Sequence, residues 1–231
     1  ILVPSFSYLC FMSQIKGKVL KSTGKWYQVM LEDGSQVDCR IRGRLRLEGL
    51  RTTNPISVGD VVLMSGKLDE EGKGVIEDYE HRHNYIVRKS TNLSKQSHIL
   101  AANVDRAYLL VRLKHPETHT VFIDRFLVAA ESFRIETTLL FNKIDLLNDE
   151  ERYDLEAIMD MYRVIGYRCE AISATNQDNI EFLRNEIAGN QVMIAGHSGT
   201  GKSTLVNALD PNLNLRIGEI SNAHHQGQHT T

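Results

Sequence analysis

The stretch Gly196-His197-Ser198-Gly199-Thr200-Gly201-Lys202-Ser203 satisfies G-x-x-x-x-G-K-[ST] at every fixed position. Its flanks fit the same reading. Gln191–Ala195 is apolar and predicts a strand, and Lys202–Leu209 is amphipathic and predicts a helix. In such a loop the glycines let backbone N–H groups approach phosphate oxygens, and the helix N-terminus adds partial positive charge. Gly196 to Thr204 is therefore the candidate phosphate-binding segment, with Lys202 directed at the β- and γ-phosphates and the Ser203 hydroxyl at Mg²⁺. The plainer reading, a glycine-rich turn between strand and helix, leaves the joint presence of Lys202 and Ser203 unexplained.

Upstream of this loop the chain alternates. Strands are expected at Arg106–Leu113, Thr137–Phe141 and Cys169–Ile172, and helices at Val121–Phe133, Asp149–Tyr162 and Asn179–Ile187. Ile123, Phe126, Leu127 and Ala130 share one face of the first helix, and Leu155, Ile158, Met159 and Tyr162 one face of the second. Alternation of this kind predicts a mainly parallel sheet covered on both faces. Met159 and Met161 read as helix packing. His115-Pro116-Glu117-Thr118-His119 is not a zincin motif, because its Glu is misplaced and Pro116 disfavours an unbroken helix.

Two further segments sit at predicted strand ends. Asn142-Lys143-Ile144-Asp145 resembles the N-K-x-D guanine motif of GTPases. A carboxylate at Asp145 can accept from guanine N1–H and the N2 amine, a pair that adenine lacks, and a site built around such a pair rejects the analogue without it. Ser173-Ala174 resembles the S-A element whose backbone N–H meets guanine O6. Either could be an ordinary turn, but their positions after successive strands support each other. Most GTPases carry the phosphate loop first; here it comes last, so the domain resembles a circularly permuted GTPase. Strand ends on one sheet edge can assemble such a site in any chain order.

Residues 14–80 read differently, as short strands and turns: Ile15–Leu20, Trp26–Leu31, Gln36–Leu47, Val61–Ser65 and Val75–Tyr79. Five strands predict an OB-like barrel, with an SH3-like barrel open by count. Period-two alternation in 40–47 places Arg40, Arg42, Arg44 and Arg46 on one strand face, suited either to RNA phosphates or to water. Trp26, Tyr27 and Tyr79 are stacking candidates, with packing in the barrel core as the alternative, and Arg82, Arg88, Lys89 and Lys95 could extend the footprint. The expected divisions are a barrel over 12–82, a polar linker over 83–100 and the nucleotide domain over 101–231.

The charge balance supports two units. The chain of 231 residues has a net charge of −2, but residues 1–100 carry +4 and residues 101–231 carry −6. Three widely spaced cysteines, Cys10, Cys39 and Cys169, argue against a disulfide framework and for a reducing compartment. Ile1–Met12 is too short to span a bilayer and lacks signal-peptide features. With Ile1 at its start, Met12 as the expected natural start and Thr231 at its end, the sequence reads as a fragment.

A small barrel before a permuted GTPase domain resembles the ribosome small-subunit-dependent GTPase A family (RsgA/YjeQ type) over residues 12–231. Cys39–Gly43, Val58-Gly59-Asp60, Ala101–Asp105 and Gly227-Gln228-His229-Thr230-Thr231 also fit. The last resembles the family's first switch. The resemblance implies Mg²⁺-dependent GTP hydrolysis, with Thr230 or Thr231 at Mg²⁺ or the γ-phosphate. Lys202 and His229 are then the catalytic candidates, His229 to orient water. A solvated switch histidine is the alternative for His229; His224, His225 and His229 have no Cys or carboxylate at zinc spacing. The resemblance further implies a cytoplasmic monomer without membrane partners that binds GTP and GDP. It would assist late maturation of the small ribosomal subunit, with the barrel on rRNA. A D-x-P-G motif and a zinc-binding cysteine/histidine domain would follow Thr231. The alternatives are another permuted ribosome-assembly GTPase, or an RNA-binding nucleotide switch with negligible turnover.

Overall fold

Exposed lysines alternate with buried residues along the first strand, as in Lys16-Gly17-Lys18-Val19, so one of its faces points inward. A computed structural model describes residues 14–42, 55–66, 68–69, 71–89, 97–177, 179–210, 212, 220–221 and 226–227. Two compact units emerge, 1–103 and 104–231.

In the first unit, β1 (Ile15–Ser22), β2 (Tyr27–Leu31), β3 (Gln36–Ile41), β4 (Val61–Met64) and β5 (Gly74–Tyr79) close a barrel in the order β1-β2-β3-β5-β4. β3 and β5 run parallel and the other neighbours antiparallel, the OB-type arrangement rather than the SH3-like one. Val19, Tyr27, Val29, Cys39, Val62, Met64 and Ile76 fill the interior. A Cβ on Gly17 would lie 2.4 Å from Val29 Cγ1 and 2.9 Å from the Met30 carbonyl oxygen, so only glycine lets β1 cross β2 this closely. Tyr27, expected as a stacking candidate, is a core residue at 1% exposure; its neighbour Trp26 faces out at 39%. Alternation along the strand permits only one of the two on the surface. Arg40 and Arg42 project outward as expected, while Arg44 and Arg46 lie outside the described residues.

The stretch 83–100, expected as a linker, carries an antiparallel pair, β6 (Tyr85–Lys89) and β7 (Ser97–Ala102). Ile86, Ile99 and Ala102 are buried; a backbone bond from Ala102 N to Val58 O and a side-chain bond from Ser57 Oγ to Ile99 O pin the pair to the 55–60 turn. Arg82, assigned above to a nucleic-acid footprint, is instead internal. Its guanidinium forks onto both carboxylate oxygens of Asp60, at 2.7 and 2.6 Å, and donates to Pro55 O. Lys95 lies outside the described residues.

In the second unit, β8 (Arg106–Val111), β9 (Glu136–Asn142), β10 (Arg168–Ile172) and β11 (Val192–Gly196) form a parallel sheet in the order β10-β9-β8-β11. Leu109, Val111, Leu139 and Phe141 pack on one face with α1 (Thr120–Ser132) and α2 (Asp149–Val164). Tyr108, Leu110, Leu140 and Ile172 pack on the other with α3 (Ile180–Ile187) and α4 (Lys202–Leu209). Asn148 starts α2 with a capping box, its side chain accepting from Glu151 N while Glu151 reaches back to Asn148 N. Met159 belongs to the core as expected, but Met161 turns outward at 46% exposure, two residues round the helix from it. Short segments Ile220–Ser221 (β12) and Gln226–Gly227 (β13) pair antiparallel. The buried thiols of Cys39 and Cys169 are each pushed up to about 11 by burial, so both stay protonated and unreactive near neutrality.

Candidate nucleotide site

A parallel sheet brings the C-terminal ends of its strands to one edge, where ligands bind α/β folds. Asn142 closes β9, Ser173-Ala174 follows β10, and Gly196 closes β11. The three segments read from sequence therefore meet.

Asn142 is the residue that joins them. Only 5% exposed, it donates from Nδ2 to Thr200 O at 2.9 Å and accepts at Oδ1 from Ala174 N at 3.1 Å. One side-chain amide thus ties the guanine motif to the phosphate loop and to the S-A element. The Ala174 N–H, expected to face guanine O6, is engaged by Asn142 in this structure. Ser173 is fully buried; its hydroxyl donates to Asp145 Oδ1 at 2.5 Å and accepts from Asn176 N at 3.1 Å. The carboxylate of Asp145 is thereby held in one orientation, the requirement for reading two donors on a base edge. Lys143 takes a left-handed backbone (φ 69°) and starts the short helical turn that carries Asp145, with half-buried Ile144 packed against the core.

The phosphate loop wraps tightly. Gly196, Gly199 and Gly201 have φ of 148°, 80° and 98°. A Cβ on Gly201 would sit 2.5 Å from Asn142 Nδ2, so this glycine is what allows the loop to lie against the guanine motif. The buried Thr200 hydroxyl donates to His197 O at 2.9 Å and braces the turn. The first intrahelical bond of α4 in this region runs from Leu205 N to Gly201 O. The N–H groups of Lys202, Ser203 and Thr204 consequently occupy the helix positions that lack intrahelical acceptors. Lys202 Nζ lies across the loop, donating to Gly196 O at 2.8 Å and His197 O at 2.6 Å; burial lowers its pKa below the ordinary lysine value. The His197 ring packs on Phe122 with centroids 3.7 Å apart. Burial, then Lys202 and His119, lower its pKa, which favours the neutral imidazole near neutrality. His229, Thr230 and Thr231 lie outside the described residues.

Sequence reading missed Arg112, at the end of β8. It is 5% exposed and donates from Nη1 to His115 O and, at 3.4 Å, to Gly199 O of the phosphate loop. A cation directly after an apolar strand, on the edge where the motifs converge, was the available signal.

A phosphate loop and a guanine-type motif at strand ends on one sheet edge, with the loop last in the chain, define a circularly permuted P-loop GTPase domain that follows an OB-like barrel in sequence. The chain belongs to the RsgA GTPase family: the family model described as RsgA GTPase matches residues 79–231, and that described as RsgA N-terminal domain matches residues 16–76. A Christiangramia forsetii protein named small ribosomal subunit biogenesis GTPase RsgA is 51% identical over 220 residues, covering 94% of this chain and 69% of that protein. A Bacteroides fragilis protein of the same name is 49% identical over 217 residues, with the same coverage. Among solved structures, YjeQ from Thermotoga maritima matches with a TM-score of 0.71 and 36% identity, over 88% of this chain and 67% of that one. YloQ, described as a circularly permuted GTPase, matches at 0.65 and 28%, over 86% and 65%.

Proposed function

We propose that this chain binds guanine nucleotides and hydrolyses GTP to GDP and phosphate in the service of small-ribosomal-subunit maturation. The observation that carries the reading is Asn142, whose amide fixes the guanine and phosphate segments to each other. In this reading Asp145, oriented by Ser173, selects guanine. The loop N–H groups of 197–204 and Lys202 hold the phosphates. Phosphoryl transfer then depends mainly on positioning and on charge stabilisation, which these groups supply. Lys202 exchanges its two carbonyl contacts for phosphate oxygens.

Mg²⁺ would be held by Ser203, whose hydroxyl makes no hydrogen bond to another described residue; His229, Thr230 and Thr231 are proposed as the further catalytic and metal-facing residues. A single hydroxyl fits Mg²⁺, which keeps several waters and binds through few protein ligands plus phosphates. Bound there, the ion would supply charge neutralisation to the phosphates. Among the described residues no cluster of three His, Cys, Asp or Glu is placed to hold a metal; a zinc site is proposed only for sequence following Thr231.

The barrel, taken as residues 12–82, is proposed to dock on rRNA of the small subunit through Arg40, Arg42, Arg44 and Arg46. Arg40 and Arg42 are exposed, paired with Asp69 at 3.7 Å and Glu77 at 3.0 Å. Exposed pairs of this kind contribute ~0–1 kcal/mol, so phosphates can displace them. Trp26, beneath Lys73 at 4.7 Å, lines a shallow hollow with Arg40 and adds a surface for stacking. Residues 101–231 are the nucleotide domain. A monomeric, cytoplasmic protein is the setting proposed; among the described residues no helix is long and apolar enough to cross a membrane.

The test is GTP hydrolysis with and without small subunits, on the chain and on an Arg42→Glu, Arg44→Glu variant. Small subunits should raise the rate, and the variant should need about tenfold more subunit with a shallower salt dependence. Stimulation only by large subunits would favour a different assembly GTPase. Nucleotide binding without turnover would favour a switch. A variant indistinguishable from the parent would return the arginines to a solvated face.

A further inference from the structure

The carbonyls of the phosphate loop are held from behind by side chains. Asn142 takes Thr200 O, and the Thr200 hydroxyl takes His197 O. Between them Gly199 O faces Arg112 Nη1 at 3.4 Å. Each carbonyl secured on the protein side leaves its peptide unit turned so that neighbouring N–H groups face outward, and an anion bound at a loop depends on that orientation.

Arg112 is unusual among these supports because it is a charge. Only 5% exposed, it forms no ion pair among the described residues; burial lowers its pKa and the charge of Asp145 opposes that only in part. Its hydrogen bonds go to two carbonyls, His115 O and Gly199 O. A second cation, Lys143, lies close: its Cε would be 3.7 Å from a Cβ on Gly201. Burial and then the charge of Arg112 both lower the Lys143 pKa. A buried, unpaired guanidinium costs free energy in the folded chain. Its location, between the guanine loop and the phosphate loop, is where the negative charge of a bound nucleotide lowers that cost. The loop that carries Arg112 is closed independently of its side chain, by Arg112 N to Thr118 Oγ1 at 3.1 Å and Thr118 N to Arg112 O at 2.8 Å.

We infer that Arg112 is a positioning residue for nucleotide binding: its guanidinium clamps Gly199 O and the 112–118 loop together and sets the phosphate loop in its anion-receiving form. It acts through the loop and is not assigned contact with the nucleotide. The inference rests on the nucleotide-binding reading above.

The experiment measures GDP and GTP affinity, steady-state GTP hydrolysis and melting temperature without nucleotide for the chain, Arg112→Ala and Arg112→Lys. The alanine variant should bind GDP and GTP about tenfold more weakly (~1.4 kcal/mol). It should raise KM with little change in kcat and melt only a few degrees lower. Millimolar methylguanidinium should restore its affinity, and lysine, which keeps charge but loses the fork, should restore only part. Unchanged affinity in Arg112→Ala would overturn the inference. So would a loss that tracks a lower melting temperature and is not rescued by methylguanidinium. Failure of the unsubstituted chain to bind GDP would overturn the nucleotide reading itself, and this inference with it.

Discussion

Gly201→Ala should bind GDP and GTP at least about a hundredfold more weakly than the parent chain while remaining folded (~2.8 kcal/mol). Two costs combine. The φ of 98° at Gly201 is strained for any residue with a Cβ, at ~1–3 kcal/mol. The added methyl also falls 2.5 Å from Asn142 Nδ2. Asn142 cannot yield without breaking its buried bond to Thr200 O, which costs a further ~1–3 kcal/mol. The damage is therefore done at the joint between the two loops. Gly166→Ala separates the two contributions. Gly166 has φ of 100°, in the same unit, and a Cβ there would meet nothing within 4 Å. It should lose stability to a similar backbone strain and keep its nucleotide affinity. Equal affinity loss in both variants would mean that the joint has no special role.

Arg82→Ala should destabilise the barrel unit by ~3–5 kcal/mol, the cost of removing one partner from a buried ion pair. Side-chain exposure is 8% for Arg82 and 0% for Asp60, so water cannot replace the lost contacts. Burial pulls the Arg82 pKa down, but the hydrogen bonds and charge of Asp60 outweigh it and hold the guanidinium above its ordinary value. Among the described residues the carboxylate would keep the Ser57 N–H at 2.8 Å, and Pro55 O would lose the Arg82 donor. The chain has a single tryptophan, Trp26, which lies in this unit, so its fluorescence in denaturant reports barrel unfolding directly. An unchanged midpoint would show that Arg82 is a surface cation after all.

The contrast between these residues explains what could be read in advance. The phosphate loop has its chemistry in contiguous residues, and the glycine positions follow from backbone geometry alone. The strand–helix rhythm of 104–209 was legible because both sheet faces are buried, which gives apolar runs such as Leu109-Leu110-Val111. β6 and β7 were not legible. Their alternation buries little beyond Ile86, Ile99 and Ala102, and the surrounding lysines, serines and asparagines resemble a linker. Arg82 was assigned to a surface role and Arg112 was missed for a related reason. An arginine carries no local signal of where its partners lie, and Asp60 is 22 residues from Arg82, Gly199 87 residues from Arg112. Trp26 and Tyr27 could not be told apart in advance, because a single step of strand phase decides which of two adjacent aromatics enters the core.

In the function proposed for this chain, Asp145, three residues after Asn142 and held by the Ser173 hydroxyl, selects guanine. The most direct measurement is the ratio of GTP to xanthosine triphosphate affinity for the parent chain and for Asp145→Asn. An amide at 145 offers a donor where the carboxylate only accepts, matching the xanthine carbonyl that replaces the guanine amine. The parent should favour GTP strongly, and the variant should favour xanthosine triphosphate, with the ratio moving by about a hundredfold or more. The same preference in both proteins would contradict the account.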